Sequence, residues 1–141
     1  MKSAHVISHV ISNEKEVLNT IKKSFPEEVQ IKSSKTIIEA LESLQKIRID
    51  MLFVDMEILK KASEASNIKT VLLSFWSFYP SLEIIVMTSQ EMLREAVQTV
   101  KDGASNYLTY PLITDEVKLV SQNIINQRSV QSELDYLRDQ F

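Results

Sequence analysis

Asp55 is the residue of this chain best placed to do chemistry. It closes a fully apolar run, Met51-Leu52-Phe53-Val54, so a carboxylate stands at the end of what looks like a strand buried on both faces. Other polar groups close similar runs. Ser12, Asn13 and Glu14 follow AHVISHVI, Thr88 and Ser89 follow EIIVM, and Tyr110 follows SNYLT. By itself Asp55 reads as readily as a polar residue that ends a strand and starts a turn as it does a functional group. An enzymatic role needs a companion base, nucleophile or cofactor loop, and none accompanies it, so a small α/β enzyme is a remote reading.

Composition removes several other classes. The chain has no cysteine, so there is no disulfide, thiol nucleophile or thiolate metal site. It has one glycine, Gly103, which excludes a glycine-rich phosphate loop of either common type. The net charge of −3 leaves no basic excess to neutralise nucleic-acid phosphates. The first residues lack the apolar core of a signal peptide, and no stretch approaches the roughly 18 apolar residues of a membrane span. A cytoplasmic protein is expected. At 141 residues the size is that of one domain, and 44% apolar with 25% charged residues is ordinary for a globular one. His5 and His9 share one strand face by period two. Packed or exposed strand histidines are the stronger reading of them than a metal pair.

The polar groups must be positioned by alternating strands and helices. Residues 4–12 read as a first strand, with Asn13 as cap of a helix whose apolar positions are Val17, Leu18, Ile21 and Phe25. Residues 28–33 alternate as a short second strand. Ser34 reads as the next cap, before a helix with Ile37, Ile38, Leu41, Leu44 and Ile47 on one face. After the Asp55 strand, residues 56–66 are polar and mixed, and a third helix is expected near 65–78, ended by Pro80. It carries the aromatics Phe75, Trp76 and Phe78, with Tyr79 behind them. Core packing is their default role, with Trp76 the candidate for an exposed contact. Residues 83–88 form a fourth strand, 91–102 a fourth helix closed by Gly103, and 105–109 a fifth strand. A last helix starts near Asp115. Its apolar residues Ile124, Val130, Leu134, Leu137 and Phe141 continue past the expected domain, which suggests a linker or short coiled coil. The division is residues 1–127 as domain and 128–141 as C-terminal helix. Repeated βα units predict a parallel sheet with helices on both faces and the site at the carboxyl ends of its strands.

Four segments in order carry a resemblance. MLFVD, PSLEIIVMTS, EAVQTVKDGASNYL and Tyr110-Pro111 are similar, at nearly the same spacing, to the receiver domain of bacterial response regulators. The wording is most similar to receivers of NtrC-like, sigma-54-dependent transcriptional regulators. LDYLRDQF, residues 134–141, resembles the linker that leads from such a receiver to an AAA+ ATPase domain, so the chain reads as the N-terminal part of a longer regulator. The resemblance implies a flavodoxin-like (CheY-like) doubly wound five-stranded parallel sheet, order 2-1-3-4-5, with an extended C-terminal helix. It places Asp55 at the phosphoacceptor position. Thr88 falls where a phosphoryl-contacting hydroxyl stands, and Tyr107 where the family carries a switch aromatic.

The same resemblance marks what is missing. Phosphoryl transfer to an aspartate needs an attacking carboxylate, a bridging divalent cation and a second cation for the phosphoryl oxygens. The family's acidic pair falls on Ser12 and Asn13, which bring no charge, and magnesium binds neutral ligands poorly. Glu14, one residue on, is a partial substitute, so a metal, if one binds, would rest on Glu14 and Asp55 with backbone carbonyls. The family's lysine falls on Tyr110. The expectation is therefore a regulatory, non-enzymatic module without a cofactor. It acts independently of phosphorylation and controls the dimerisation and activity of an attached sigma-54 activator ATPase. Its homodimer surface is the fourth helix, fifth strand and last helix, including Leu93, Val97, Tyr107 and Val117. The alternative is a working phosphoreceiver with Mg2+, taking its phosphoryl group from a histidine kinase.

Overall fold

The computed structural model describes residues 6–139. Five strands form one parallel sheet in the order β2-β1-β3-β4-β5. They are β1 (Ser8–Ile11), β2 (Ile31–Ser34), β3 (Met51–Asp55), β4 (Glu83–Thr88) and β5 (Asn106–Thr109). Six helices connect and follow them: α1 (Lys15–Lys23), α2 (Ile37–Lys46), α3 (Met56–Ala62), α4 (Ile68–Phe78), α5 (Leu93–Lys101) and α6 (Thr114–Asp139). The expected strand order and the long final helix are both present.

The register explains why the apolar runs are nearly unbroken. Val54 pairs with Ile11 on one side and Val86 on the other, so β3 is central and both its faces are covered. One face carries Ile11, Leu52, Val54 and Val86 under the apolar stripes of α2 to α5. The other carries Val10, Phe53, Ile85 and Met87 under Val17 and Ile21 of α1 and Val117 and Ile124 of α6. Phe25 and Phe53 meet edge to face on this second side, with ring centroids 6.3 Å apart.

Several local expectations are corrected. Asn13 does not cap α1; Glu14 holds the cap position without a side-chain bond, and Ser12 Oγ accepts from the Glu14 N–H at 3.1 Å. Thr36, not Ser34, caps α2, because Thr36 and Glu39 form a reciprocal capping box that reaches the Glu39 and Lys35 N–H groups. Ser34 is instead turned inward to His9. Ile38 is 71% exposed, and Ala40 takes its place on the buried stripe of α2 with Ile37 and Leu44. The second strand begins at Ile31, since Val29 N–H bonds back to Pro26 C=O and closes a turn there.

Residues 56–62, expected to be irregular, form α3 directly after Asp55. The segment is amphipathic over only two turns: Met56 and Leu59 are buried while Glu57, Lys60 and Lys61 face outward. Trp76 is half-buried and packs on the first core face, its Nε1–H donating to Leu82 C=O at 3.0 Å. It is a packing residue rather than an exposed contact. Helix α5 ends as expected at Gly103, which has φ +129°. Gly103 N–H bonds Val100 C=O and Ala104 N–H bonds Thr99 C=O, the paired bonds of a Schellman cap. Tyr110-Pro111 is cis.

Candidate functional site

The site forms because parallel strands end together. Asp55 closes β3, Thr88 closes β4, Tyr110 follows β5, and Ser12 to Glu14 follow β1 at the same edge of the sheet. A pocket of about 430 Å³ opens there. Ser12, Asn13, Glu14, Asp55, Ser89 and Tyr110 line it, joined by Met56, Glu57, Ile58, Lys61, Met87 and Met92.

Asp55 is half-buried and both of its carboxylate oxygens are engaged. Oδ2 accepts from the Ile58 N–H at 3.0 Å, which makes Asp55 the N-cap of α3. Oδ1 accepts from the Tyr110 hydroxyl at 2.5 Å. Asp55 thus both closes β3 and caps α3. The short distance is that of a charge-assisted O–H···O⁻ bond. Burial raises the Tyr110 phenol well above the ordinary tyrosine value. The hydrogen bond to Asp55 and the negative charges of Asp55, Glu14 and Glu57 push it further the same way. A hydroxyl so placed stays a donor at any physiological pH.

Tyr110 also divides space. On its other side a second hollow of about 330 Å³ is lined by Glu14, Glu16, Val17, Thr20, Tyr110, Pro111 and Leu112. Glu14 and Tyr110 are common to both hollows.

The remaining residues singled out by sequence are placed as follows. Ser12 and Asn13 stand at the pocket edge beside Asp55, where they offer a hydroxyl and an amide. Thr88 is fully buried and its hydroxyl donates to Ser89 C=O at 2.9 Å; Ser89, not Thr88, lines the pocket. Tyr107 is half-buried on β5 and packs against the first core face, away from Asp55. Leu93 is half-buried and Val97 exposed on α5, but Val117 is fully buried beneath α6 and cannot belong to an outward surface. His9 is fully buried and its Nε2 lies 2.9 Å from Ser34 Oγ. His5 lies outside the described residues. No group of three or more metal-ligating side chains gathers among the described residues, and no helix among them is long and apolar enough to cross a membrane.

Glu57 and Lys61 escaped the sequence reading. They are four residues apart, so they share one face of α3, and the signal was hidden only because 56–62 was not read as a helix.

No family model matches the sequence. The chain is 30% identical over 82 residues, 58% of its length, to the transcriptional regulatory protein ZraR of Klebsiella oxytoca, of which it spans 17%. Among solved structures, NtrX of Brucella abortus in complex with ADP matches with a TM-score of 0.78 at 16% identity, over 97% of this chain and 30% of that one. A response regulator receiver domain protein of Clostridium thermocellum matches with a TM-score of 0.71 at 21% identity, over 89% of this chain and 98% of that one. A CheY-like receiver domain protein of Methanospirillum hungatei matches with a TM-score of 0.68 at 15% identity. The strand order, the helices on both faces and the aspartate at the end of β3 thus form a response-regulator receiver fold, in a chain whose sequence is similar over part of its length to a transcriptional regulatory protein.

Proposed function

We propose that this receiver acts without phosphorylation, with Asp55 serving as a fixed cross-link between β3, α3 and the β5–α6 turn. One observation carries the reading: both Asp55 oxygens already have partners, Tyr110 on Oδ1 and the α3 N-terminus on Oδ2. A phosphoacceptor has to free an oxygen to attack phosphorus and needs cations around the transferred group. Here the hydroxyl of Tyr110 stands where a cation would serve, and Ser12 and Asn13 contribute no charge to hold magnesium. Thr88 would also have to leave Ser89 C=O to meet a phosphoryl group.

In this reading the module is regulatory rather than catalytic, needs no cofactor and works in the cytoplasm. Its output passes through α6 to an attached AAA+ ATPase domain of the sigma-54 activator kind, with residues 128–141 as the linker. The resemblance to NtrC-like receivers and the likeness to NtrX and ZraR support that assignment. Self-association would use Leu93, Val97 and Tyr107 with the distal part of α6, where Leu134 and Leu137 are exposed. Val130 and Phe141, also expected on that seam, lie outside the described side chains.

Incubation with acetyl phosphate, or with beryllofluoride and magnesium, tests the proposal. The expected outcome is no saturable binding and no change in self-association by sedimentation. Binding that shifts the association state and is abolished by Asp55→Asn would overturn it. That result would establish instead the working phosphoreceiver, supplied by a histidine kinase, with Glu14 and Asp55 holding Mg2+. The open pocket and the place of Glu14 on its wall are what favour this second reading.

A further inference from the structure

The opposite end of β3 carries a second aspartate that the site does not use. Asp50 precedes β3 and its side chain is only 9% exposed. A carboxylate so little exposed is unfavourable unless it is paired. Asp50 is also fastened firmly into the sheet. Its N–H bonds Ile7 C=O at 2.8 Å, its C=O accepts from Glu83 N–H at 3.1 Å, and Oδ2 accepts from Ile7 N–H at 2.9 Å.

Two arginines also reach this carboxylate. Arg48 Nη2 lies 3.3 Å from Oδ1 and donates to Oδ2 at 3.3 Å as well, whereas Arg128 Nη1 reaches Oδ1 alone, at 3.9 Å. Arg48 is 62% exposed and comes from the turn before β3. Arg128 is 36% exposed and comes from α6. Its position on that helix is informative. Val117, Ser121, Ile124 and Ile125 form the buried stripe of α6, and Ile125 is its last buried residue among those described. Arg128 follows Ile124 and Ile125 by four and three residues, so it continues the stripe by one turn. Where the apolar face ends, a charge contact to the sheet takes over.

We propose that Asp50 is a release clamp for α6, which holds Arg128 to the domain and sets the direction in which the helix leaves. The contact of Arg48 with both oxygens makes the clamp reversible. When Arg128 swings away, Arg48 keeps the carboxylate paired, so release does not strand a buried charge. Arg48 is thus the firmer partner and Arg128 the weaker one, and the occupancy of Arg128 on Asp50 governs how firmly residues 128–139 are held. This device stands at the far end of the sheet from Asp55 and does not depend on whether Asp55 is phosphorylated.

Amide hydrogen exchange on the full chain tests the clamp, with the β4 amides as an internal measure of the intact fold. Arg128→Gln should speed exchange at residues 128–139 about fivefold relative to β4, the factor expected for a partly buried ion pair. Arg128→Lys should recover part of that loss. Arg48→Gln, by leaving the carboxylate to Arg128, should leave exchange at these amides equal or slower. Unchanged exchange in Arg128→Gln would overturn the clamp. So would an equal acceleration in both Gln variants, because that makes Asp50 a general support rather than a contested one.

Discussion

The Tyr110 hydroxyl donates to Asp55 Oδ1 at 2.5 Å and so ties the end of β3 to the end of β5 across β4. The two residues are far apart in sequence and meet only because three parallel strands end level. By sequence resemblance Tyr110 is expected at the lysine position of other receivers, and the donor it brings to Asp55 is a neutral one.

That exchange predicts what can restore acceptor chemistry. The single change Tyr110→Lys supplies one cation but no metal ligand, so it should not bind beryllofluoride with magnesium. The triple change Ser12→Asp, Asn13→Asp, Tyr110→Lys supplies the metal carboxylates as well. It should bind the mimic saturably, as read by isothermal titration. Binding by the unaltered chain, or silence of the triple variant in a folded state, would contradict this account.

Asp55 should matter for stability even without phosphorylation. Asp55→Ala removes a helix cap worth about 1 kcal/mol and a hydrogen bond between a hydroxyl and a charged group worth about 2 kcal/mol. The loss expected in urea denaturation is therefore about 2–3 kcal/mol. Asp55→Asn keeps an oxygen for one of the two donors, and its loss should be about half as large. A phosphoacceptor with no structural duty would show neither effect.

His9 predicts a pH dependence of known sign. Burial lowers its pKa to about 4, with Lys32 adding to the effect and Glu39 opposing it. The unfolded chain, with an ordinary histidine pKa near 6.5, takes up a proton first as pH falls. Stability should therefore be full above about pH 6.5 and decline toward pH 4, by at most about 3 kcal/mol from this residue. Urea midpoints at pH 7 and pH 4.5 should differ less in His9→Gln, which can keep the bond to Ser34. An unchanged difference would mean that the histidine is not held neutral.

Gly103 is the one position where backbone and packing both demand glycine. At φ +129° a Cβ would sit 2.8 Å from Cη2 of Trp76, whose ring is held by its bond to Leu82 C=O. Gly103→Ala should cost about 2–3 kcal/mol, from left-handed strain and the displaced indole together. The indole fluorescence maximum should shift in the same variant, and a silent spectrum would show that the ring is not pressed.

Leu134 and Leu137 are exposed on α6 at a spacing of three. If they form a helical seam between two copies, Leu134→Ser with Leu137→Ser should weaken self-association at least tenfold in sedimentation equilibrium. The unfolding free energy of the monomeric chain should stay within about 0.5 kcal/mol, because both side chains are solvent-exposed. Association equal to that of the unaltered chain would move the interface to α5 and β5.

Sequence by itself determined most of the architecture. Apolar runs of four to six residues, separated by helical stripes, allow little but a covered parallel sheet, and they put Asp55 at a strand end. Its resemblance to receivers also gave the expectation that uncharged Ser12, Asn13 and Tyr110 stand at positions that are charged in an ordinary receiver. It missed α3, because two turns give too little periodicity to tell an amphipathic helix from a polar loop. It placed Ile38 and Val117 on the wrong sides, because a helical stripe does not state which neighbour covers it. Tertiary structure alone decided the partners. Only the level ends of β3, β4 and β5 bring Tyr110 to Asp55, and only the packing of α6 along the sheet brings Arg128 to Asp50. Both are contacts between groups distant in the chain, fixed by strand register and helix direction, which no local pattern of residues records.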